Sequence, residues 1–315
     1  MSSIFHYTDA GGLVGILKSK CLFASDYRYL NDSTEVSLIK KHILPIFEAE
    51  TTAITAKLVE EGFLSKDYYR ELGNRASSLE AENLYRAFVR GFDAVSPFFV
   101  TSFCKPDAES EEYENGVLSQ WRAYSRMGGF ALEFDESGLD KKAKRELESY
   151  AYVGFRSDKV EYWDHENNSN AKAFEGVAGE MIRGIFEEVG KDVSKITGTK
   201  DIDMAAIEFA KTAPFLKHRA FYEEDEYRLA FVCVRSSKMS RGFKKPIKKI
   251  EIRQKADLLI PYIELFDGAD LLSALKGLIV GPHAFQEKQA EAAKMLLEGE
   301  GLNVPARLST IPYLF

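Results

Sequence analysis

The order in which strand-like and helix-like stretches succeed one another limits this chain more than any single residue does. Runs rich in β-branched and aromatic residues, bounded by Gly, Pro and Asp, read as strands. They occur at Pro97–Cys104 (PFFVTSFC), Gly128–Asp135 (GGFALEFD), Ala151–Trp163, Asp225–Val234 (DEYRLAFVCV), Leu275–His283 (LKGLIVGPH) and Val304–Ile311 (VPARLSTI). IKKIEIR and DLLIPYIELF read as further strand or extended material. Helical periodicity concentrates elsewhere: in 34–95, interrupted at Pro45, in about 169–189 and 201–217, and in AFQEKQAEAAKMLLEGEG, closed by Gly299 and Gly301. Strict β-α-β alternation fails. The pattern predicts an α+β protein on a twisted, mixed or antiparallel sheet, with 1–315 as one enlarged domain and a mainly helical insertion at about 34–95. Neither G-x-G-x-x-G nor a P-loop is present, so the common dinucleotide and nucleoside-triphosphate cradles are excluded.

With 315 residues, 45% hydrophobic and 29% charged, the chain can bury a large core without staples. Its net charge of −7 gives no global basic field. The local exception is Arg241–Lys255 (RGFKKPIKKIEIRQK), which reads either as the solvated face of an edge strand or as a contact with a phosphate-bearing partner. Cys21, Cys104 and Cys233 lie in apolar runs without C-x-x-C spacing and read as buried thiols of a reducing compartment. No signal-peptide pattern and no stretch of membrane-spanning length is visible, which places the expectation in the cytoplasm.

Three clusters can carry chemistry. In IFHYTDAGGLVGILKSKCLFAS a strand bearing His6, Tyr7 and Thr8 runs straight into a helix from Ala10 to Lys18. Alternation sends His6 and Thr8 to one face and Tyr7 to the other, which suits a strand lining a cleft. In SQWRAYSRMGG, Trp121, Arg122 and Tyr124 offer flat rings and a guanidinium for a heterocycle or phosphate, or equally an aromatic anchor for packing. In KHRAFYEEDEYRLAFV, a strand that extends back to Glu224 would put Glu224 and Glu226 on one face at its mouth with Arg228 next in the row, while Glu223 and Asp225 read as solvated. A carboxylate there can orient a sugar hydroxyl or stabilise a cation. The histidines show no metal-ligand spacing.

Taken in order, FHYTDAGGLVGILKSKCLFAS, YLNDSTE, VTSFC, LSQWRAYS…GGFALEF, KHRAFYEEDEYRL, LIVGP and STIPY resemble the bacterial and phage family catalogued as domain-of-unknown-function family 2971. More distantly, H-x-T on a strand, an L-x-x-I-L helix and a short strand are similar to the opening of the ADP-ribosyltransferase fold, in its DNA-modifying toxin branch. That second resemblance implies NAD as substrate. It places His6, with Thr8 beside it, at the first-strand position on the ribose and nicotinamide side, and Glu226 as the late-strand catalytic carboxylate with Glu224 as companion. Tyr124, Trp121 or Ser102 would fill the middle element, and backbone groups around Tyr7 would assist. Arg28, Arg122 and Lys217 are candidates for the diphosphate.

The leading expectation is an NAD-dependent ADP-ribosyltransferase-like enzyme, a toxin or anti-phage effector acting on nucleic acid or protein through Arg241–Lys255. A toxin of that kind would have an antitoxin partner, which the sequence does not name. A non-catalytic ligand-sensing module on the same scaffold and a metal-dependent nuclease or hydrolase using the acidic cluster are the alternatives.

Overall fold

A computed structural model of the chain describes residues 2–30, 98–124, 128–163, 213–234, 243–267 and 270–312, with scattered positions between 44 and 86. The segment expected to be a helical insertion and the helix expected at 169–189 therefore lie largely or wholly outside the described residues.

The strands, in chain order, are β1 (Ser3–Thr8), β2 (Leu22–Asp26), β3 (Phe98–Cys104), β4 (Phe130–Asp135), β5 (Tyr152–Lys159), β6 (Glu161–Trp163), β7 (Leu216–His218), β8 (Glu226–Cys233), β9 (Glu251–Lys255), β10 (Leu258–Leu265), β11 (Leu275–Val280) and β12 (Ala306–Leu308). Among the described residues, ten of them form one mixed sheet in the order β12-β11-β4-β1-β3-β2-β10-β9, with β8 and β5 branching from β3. Only β11 and β12 run parallel within it; β6 and β7 make a separate parallel pair. This matches the α+β expectation.

The sheet forks at β3. One edge of β3 pairs with β8 along its whole length, Phe98↔Val232 to Cys104↔Glu226. The opposite edge is shared: β1 takes the far end at Phe5↔Cys104, and β2 takes the near end at Ser25↔Val100 and Asp26↔Phe99. Helix α1 (Ala10–Ser19) connects those two strands, so they part around Ser102. The helix is capped by Asp9, whose carboxylate accepts from Gly12 N–H at 2.7 Å, and it stops at Lys20 in the left-handed region (φ 58).

The larger core lies on the face that carries Ile4, Phe99, Phe103, Leu132, Phe134, Leu229 and Phe231. Leu13, Ile16 and Leu17 of α1 cover it, with Leu139 and Ala143 of a helix at Glu136–Ser149 and Ala293 and Leu297 of a helix at Gln286–Gly299. The smaller core, on the opposite face, joins Phe5, Tyr7, Cys104, Ala131 and Ile279 to Val117 and Trp121. Trp121 belongs to a short helix, Leu118–Tyr124, which follows another at Glu111–Asn115. In chain order these four helices are α2 (Glu111–Asn115), α3 (Leu118–Tyr124), α4 (Glu136–Ser149) and α5 (Gln286–Gly299).

Two expectations are corrected. The acidic stretch Lys105–Asn115, whose sequence reads as a polar loop after the VTSFC strand, is not all loop, because Ser110 caps α2 by accepting from Tyr113 N–H at 3.2 Å. The helix expected at 201–217 does not continue to its predicted end: Ala213–Phe215 is a 3₁₀ turn and Leu216–His218 is β7. Pro214 has no N–H to give a helix, and its carbonyl instead accepts from the Arg228 guanidinium at 2.6 Å.

Trp121 is fully buried, its ring 4.7 Å from that of Tyr7 and its Nε1 donating to the Asn115 carbonyl at 3.1 Å. Gly116 (φ 77) and Gly281 press on it so closely that an added Cβ would lie 2.5 Å and 2.8 Å from ring atoms. Gly116→Ala therefore meets both a left-handed backbone and an immovable ring. The expected loss is about 2–4 kcal/mol in chemical denaturation, and Val117→Ala, which only trims a side chain in the same core, should cost less.

Candidate functional site

The fork gives Ser102 two jobs. Its carbonyl lies where β1 and β2 separate, beyond the reach of either strand's ladder, and accepts a hydrogen bond from His6 Nδ1 at 3.0 Å. A carbonyl only accepts, so Nδ1 carries the proton and Nε2 is left as an acceptor. Burial pushes the His6 pKa down, the Ser102 carbonyl partly opposes this, and the Arg253 charge lowers it further. His6 is thus neutral near pH 7. The Ser102 hydroxyl, on the other side of the same strand, donates to the carboxylate of Glu226.

Glu226 opens β8 and is 5% exposed. Its Oε1 accepts from Arg228 Nε at 2.7 Å. Its Oε2 accepts from the second Arg228 nitrogen at 2.9 Å and from Lys217 Nζ at 3.0 Å. Lys217 also donates to Glu224 at 2.8 Å. Tyr162 Oη receives the Glu226 backbone N–H at 2.7 Å, which fixes the start of the strand. Burial alone would push the Glu226 carboxyl up. The Arg228 and Lys217 charges, with hydrogen bonds from Arg228 and Ser102, more than offset this and hold it at about 2. Burial pushes the Tyr124 phenol up, and the Glu226 and Glu224 charges carry it to about 12; Tyr124 is 36% exposed at the end of α3, on the same side of the sheet.

Ser102, Glu224 and Glu226 are therefore brought together, with Lys217 and Arg228, and Tyr124 stands on the same side of the sheet within reach of their charge. His6 and Thr8 do not join them. In register His6 stands opposite Leu132 of β4 and its ring lies 5.5 Å from Phe103, both on the larger core face. Glu226 and Arg228 stand opposite Cys104 and Ser102 on the smaller-core face. Two-residue alternation thus sends the imidazole and the carboxylate off opposite faces of the sheet, and only Ser102 touches both. The shared crevice expected for His6 and Glu226 is not formed by their side chains.

Other candidates are committed to the fold. Tyr7 is 7% exposed and its hydroxyl accepts from Val117 N–H at 2.8 Å. Trp121 is packing, not a stacking surface for a ligand. Thr8 Oγ1 rests on the first turn of α1, 1.9 Å from where a Cβ on Gly12 would stand. Arg28 is clamped by Asp26 at 2.6 and 2.9 Å. Arg122 is exposed on α3. The basic stretch is largely engaged internally: Lys248 with Glu146 (2.8 Å) and Asp267, Lys245 with the Leu147 carbonyl (2.7 Å), Lys249 with Glu251.

Arg253 was not singled out by sequence reasoning. It donates to Ser25 Oγ at 2.8 Å, lies over the Phe23 and Tyr262 rings, and its charge reaches His6. Its only sequence signal was membership of the basic run. Among the described residues, no group of three or more His, Cys, Asp or Glu side chains is arranged to hold a metal ion. The acidic pair Glu224 and Glu226 is neutralised by Lys217 and Arg228, which does not suit a divalent cation.

The Glu226 geometry makes an acid prediction. A carboxyl held at about 2 in the folded state, against an ordinary 4.5, contributes stability that is complete above 4.5 and is lost as pH falls toward 2. Glu226→Gln should remove that share of the acid transition. It should also cost about 3–5 kcal/mol at neutral pH, because Arg228 and Lys217 stay buried without their carboxylate. Urea titrations across pH 2–7 read both effects.

Residues 120–229 match the family model described as Protein of unknown function (DUF2971), which bears out the family resemblance over that stretch. No curated protein and no solved structure matches the chain. The matched stretch holds Tyr124, Lys217, Glu224, Glu226 and Arg228 and leaves out His6 and Ser102.

Proposed function

We propose that this chain, which matches the DUF2971 family model over residues 120–229, is an NAD-consuming, ADP-ribosyltransferase-like enzyme centred on Glu226. The observation that supports the reading most is a buried carboxylate at a strand mouth, held ionised by its neighbours, hydrogen-bonded to Ser102 on the neighbouring strand, and whose charge acts on the Tyr124 phenol. In the proposed step the C–N bond between ribose and nicotinamide breaks and its electron pair leaves with nicotinamide. The positive charge left on the ribose is stabilised by the Glu226 carboxylate until an acceptor oxygen or nitrogen forms the new bond. Of the three candidates for the middle element, Ser102 is best placed to align the carboxylate, and Tyr124 to offer a face to the nicotinamide. His6 acts at one remove, by fixing the Ser102 carbonyl. Arg253 replaces Arg28 as the candidate for the diphosphate.

One observation favours the non-catalytic ligand-sensing reading instead: both Glu226 oxygens are already met by Arg228 and Lys217. A carboxylate so engaged must give up Lys217 to reach a sugar.

The experiment follows nicotinamide release from NAD, together with the shift in unfolding temperature that NAD causes. On the enzyme reading, NAD stabilises the protein and nicotinamide appears. Ser102→Ala should then lower the rate by about tenfold to a hundredfold while the protein stays folded, and Glu226→Gln by about a hundredfold or more. Folded wild-type protein that is neither stabilised by millimolar NAD nor releases nicotinamide would overturn it. Stabilisation without release would move the assignment to the sensing module.

A further inference from the structure

The open edge of the sheet carries a second inference, independent of the Glu226 chemistry. β9 is the last strand in the sheet order among the described residues and pairs on one side only, with β10. The hairpin turns through Ala256 and Asp257, with Ala256 at φ 51, and closes on the Lys255↔Leu258 pair. A two-residue turn closes on a hydrogen-bonded pair. Lys255, Arg253 and Glu251 therefore bond to β10, and Ile252 and Gln254 direct their N–H and C=O groups outward.

The side chains around that edge are unlike the rest of the surface. Ile252 is 56% exposed and Leu259 67%, and the register places them on one face as diagonal neighbours. Leu258, beside the turn, is 60% exposed. The opposite face of the edge carries Glu251, Arg253, which reaches across β10 to Ser25, and Lys255; Lys249 (80% exposed), paired with Glu251, and Lys244 flank it. The whole chain bears a net charge of −7, so a cationic, apolar strand edge is a local reversal.

We propose that β9 is a docking edge for an acidic, extended segment of a partner protein, which adds to the sheet as one more strand. The outward N–H and C=O groups of Ile252 and Gln254 would take its backbone. Apolar side chains at alternate positions would continue the Ile252–Leu259 face, and the carboxylates between them would meet Lys255 and, in exchange for Glu251, Lys249. A second copy of this chain is a poorer occupant. Antiparallel pairing of two β9 strands about Ile252 sets Lys249 of one copy against Lys255 of the other and Arg253 against Glu251, so its charges oppose one another in part, whereas an all-acidic segment meets the lysines without that repulsion.

The test uses the full-length protein and two fluorescent synthetic peptides, one alternating Glu with Val and one alternating Lys with Val, read by anisotropy. Wild type binds the Glu–Val peptide, more weakly as salt rises, and discriminates against the Lys–Val peptide by about tenfold or more. The double variant Lys249→Glu with Lys255→Glu, at exposed positions, inverts that preference. Ile252→Pro removes an outward N–H and abolishes binding with the circular dichroism spectrum unchanged. Equal binding of the two peptides, failure to bind either, or a preference unmoved by the double charge reversal overturns the proposal. So does self-association in sedimentation that Ile252→Pro abolishes, which would assign the edge to a second copy. If Ile252→Pro does not fold, the charge reversal decides alone.

Discussion

Everything near the candidate site depends on how the hydrogen-bonding capacity of β3 is shared. A strand has two edges and no more. β8 takes one completely, and β1 and β2 divide the other. Around Ser102 neither neighbour's backbone is in place, so the carbonyl is satisfied by a side chain instead. A buried carbonyl left bare would cost about 1–3 kcal/mol, and His6 meets it with the one ring nitrogen that must then carry the proton. The tautomer of His6, the gap between the two strands and the position of α1 are thus a single arrangement.

The second organising element is the ionic cluster on the other side. Arg228 is fully buried, which is tolerable only because its guanidinium has Glu226 on one flank and the Pro214 carbonyl on another. Those bonds tie the segment from Ala213 to Glu224 onto β8, and Lys217 closes the tie through both glutamates. The same bonds hold Glu226 ionised. A structural ion cluster and a catalytic carboxylate ask for the same charge state, and the two are separated by what Lys217 does when a ligand arrives.

Much of the sheet was legible in the sequence. VTSFC, GGFALEFD and LKGLIVGPH are apolar, β-rich and sharply punctuated, and each became a strand within three residues of its expected limits. The helix at Glu136–Ser149 was not read. Its inward face consists of Leu139, Lys142, Ala143 and Glu146, and the two charged members are buried only because Ser273, Tyr152 and Lys248 meet them from distant segments. For the site, alternation does not explain the pairing of Glu224 with Glu226: the strand begins at Glu226, Glu224 ends a 3₁₀ turn at Arg219–Glu224, Asp225 lies in the left-handed region (φ 39), and Lys217 gathers both carboxylates. Which face His6 would take relative to Glu226 was not legible either, since that depends on β3 standing between β1 and β8. Trp121 likewise looked available, because nothing local reveals that Gly116 and Gly281 close over it.

The cluster around Glu133 joins the two ends of the chain. Its carboxylate accepts from Ser3 (2.7 Å) on the first strand and from Arg307 (2.7 Å) on the last, with Tyr113 between them at 3.0 Å. During synthesis the first strand emerges long before Arg307 exists. Until then a buried carboxylate lacks its principal counter-charge, and the region beneath Phe5 and Tyr113 cannot be completed. Contacts between residues so far apart in sequence are slow to form, so the arrival of β12 governs when this corner of the sheet is completed.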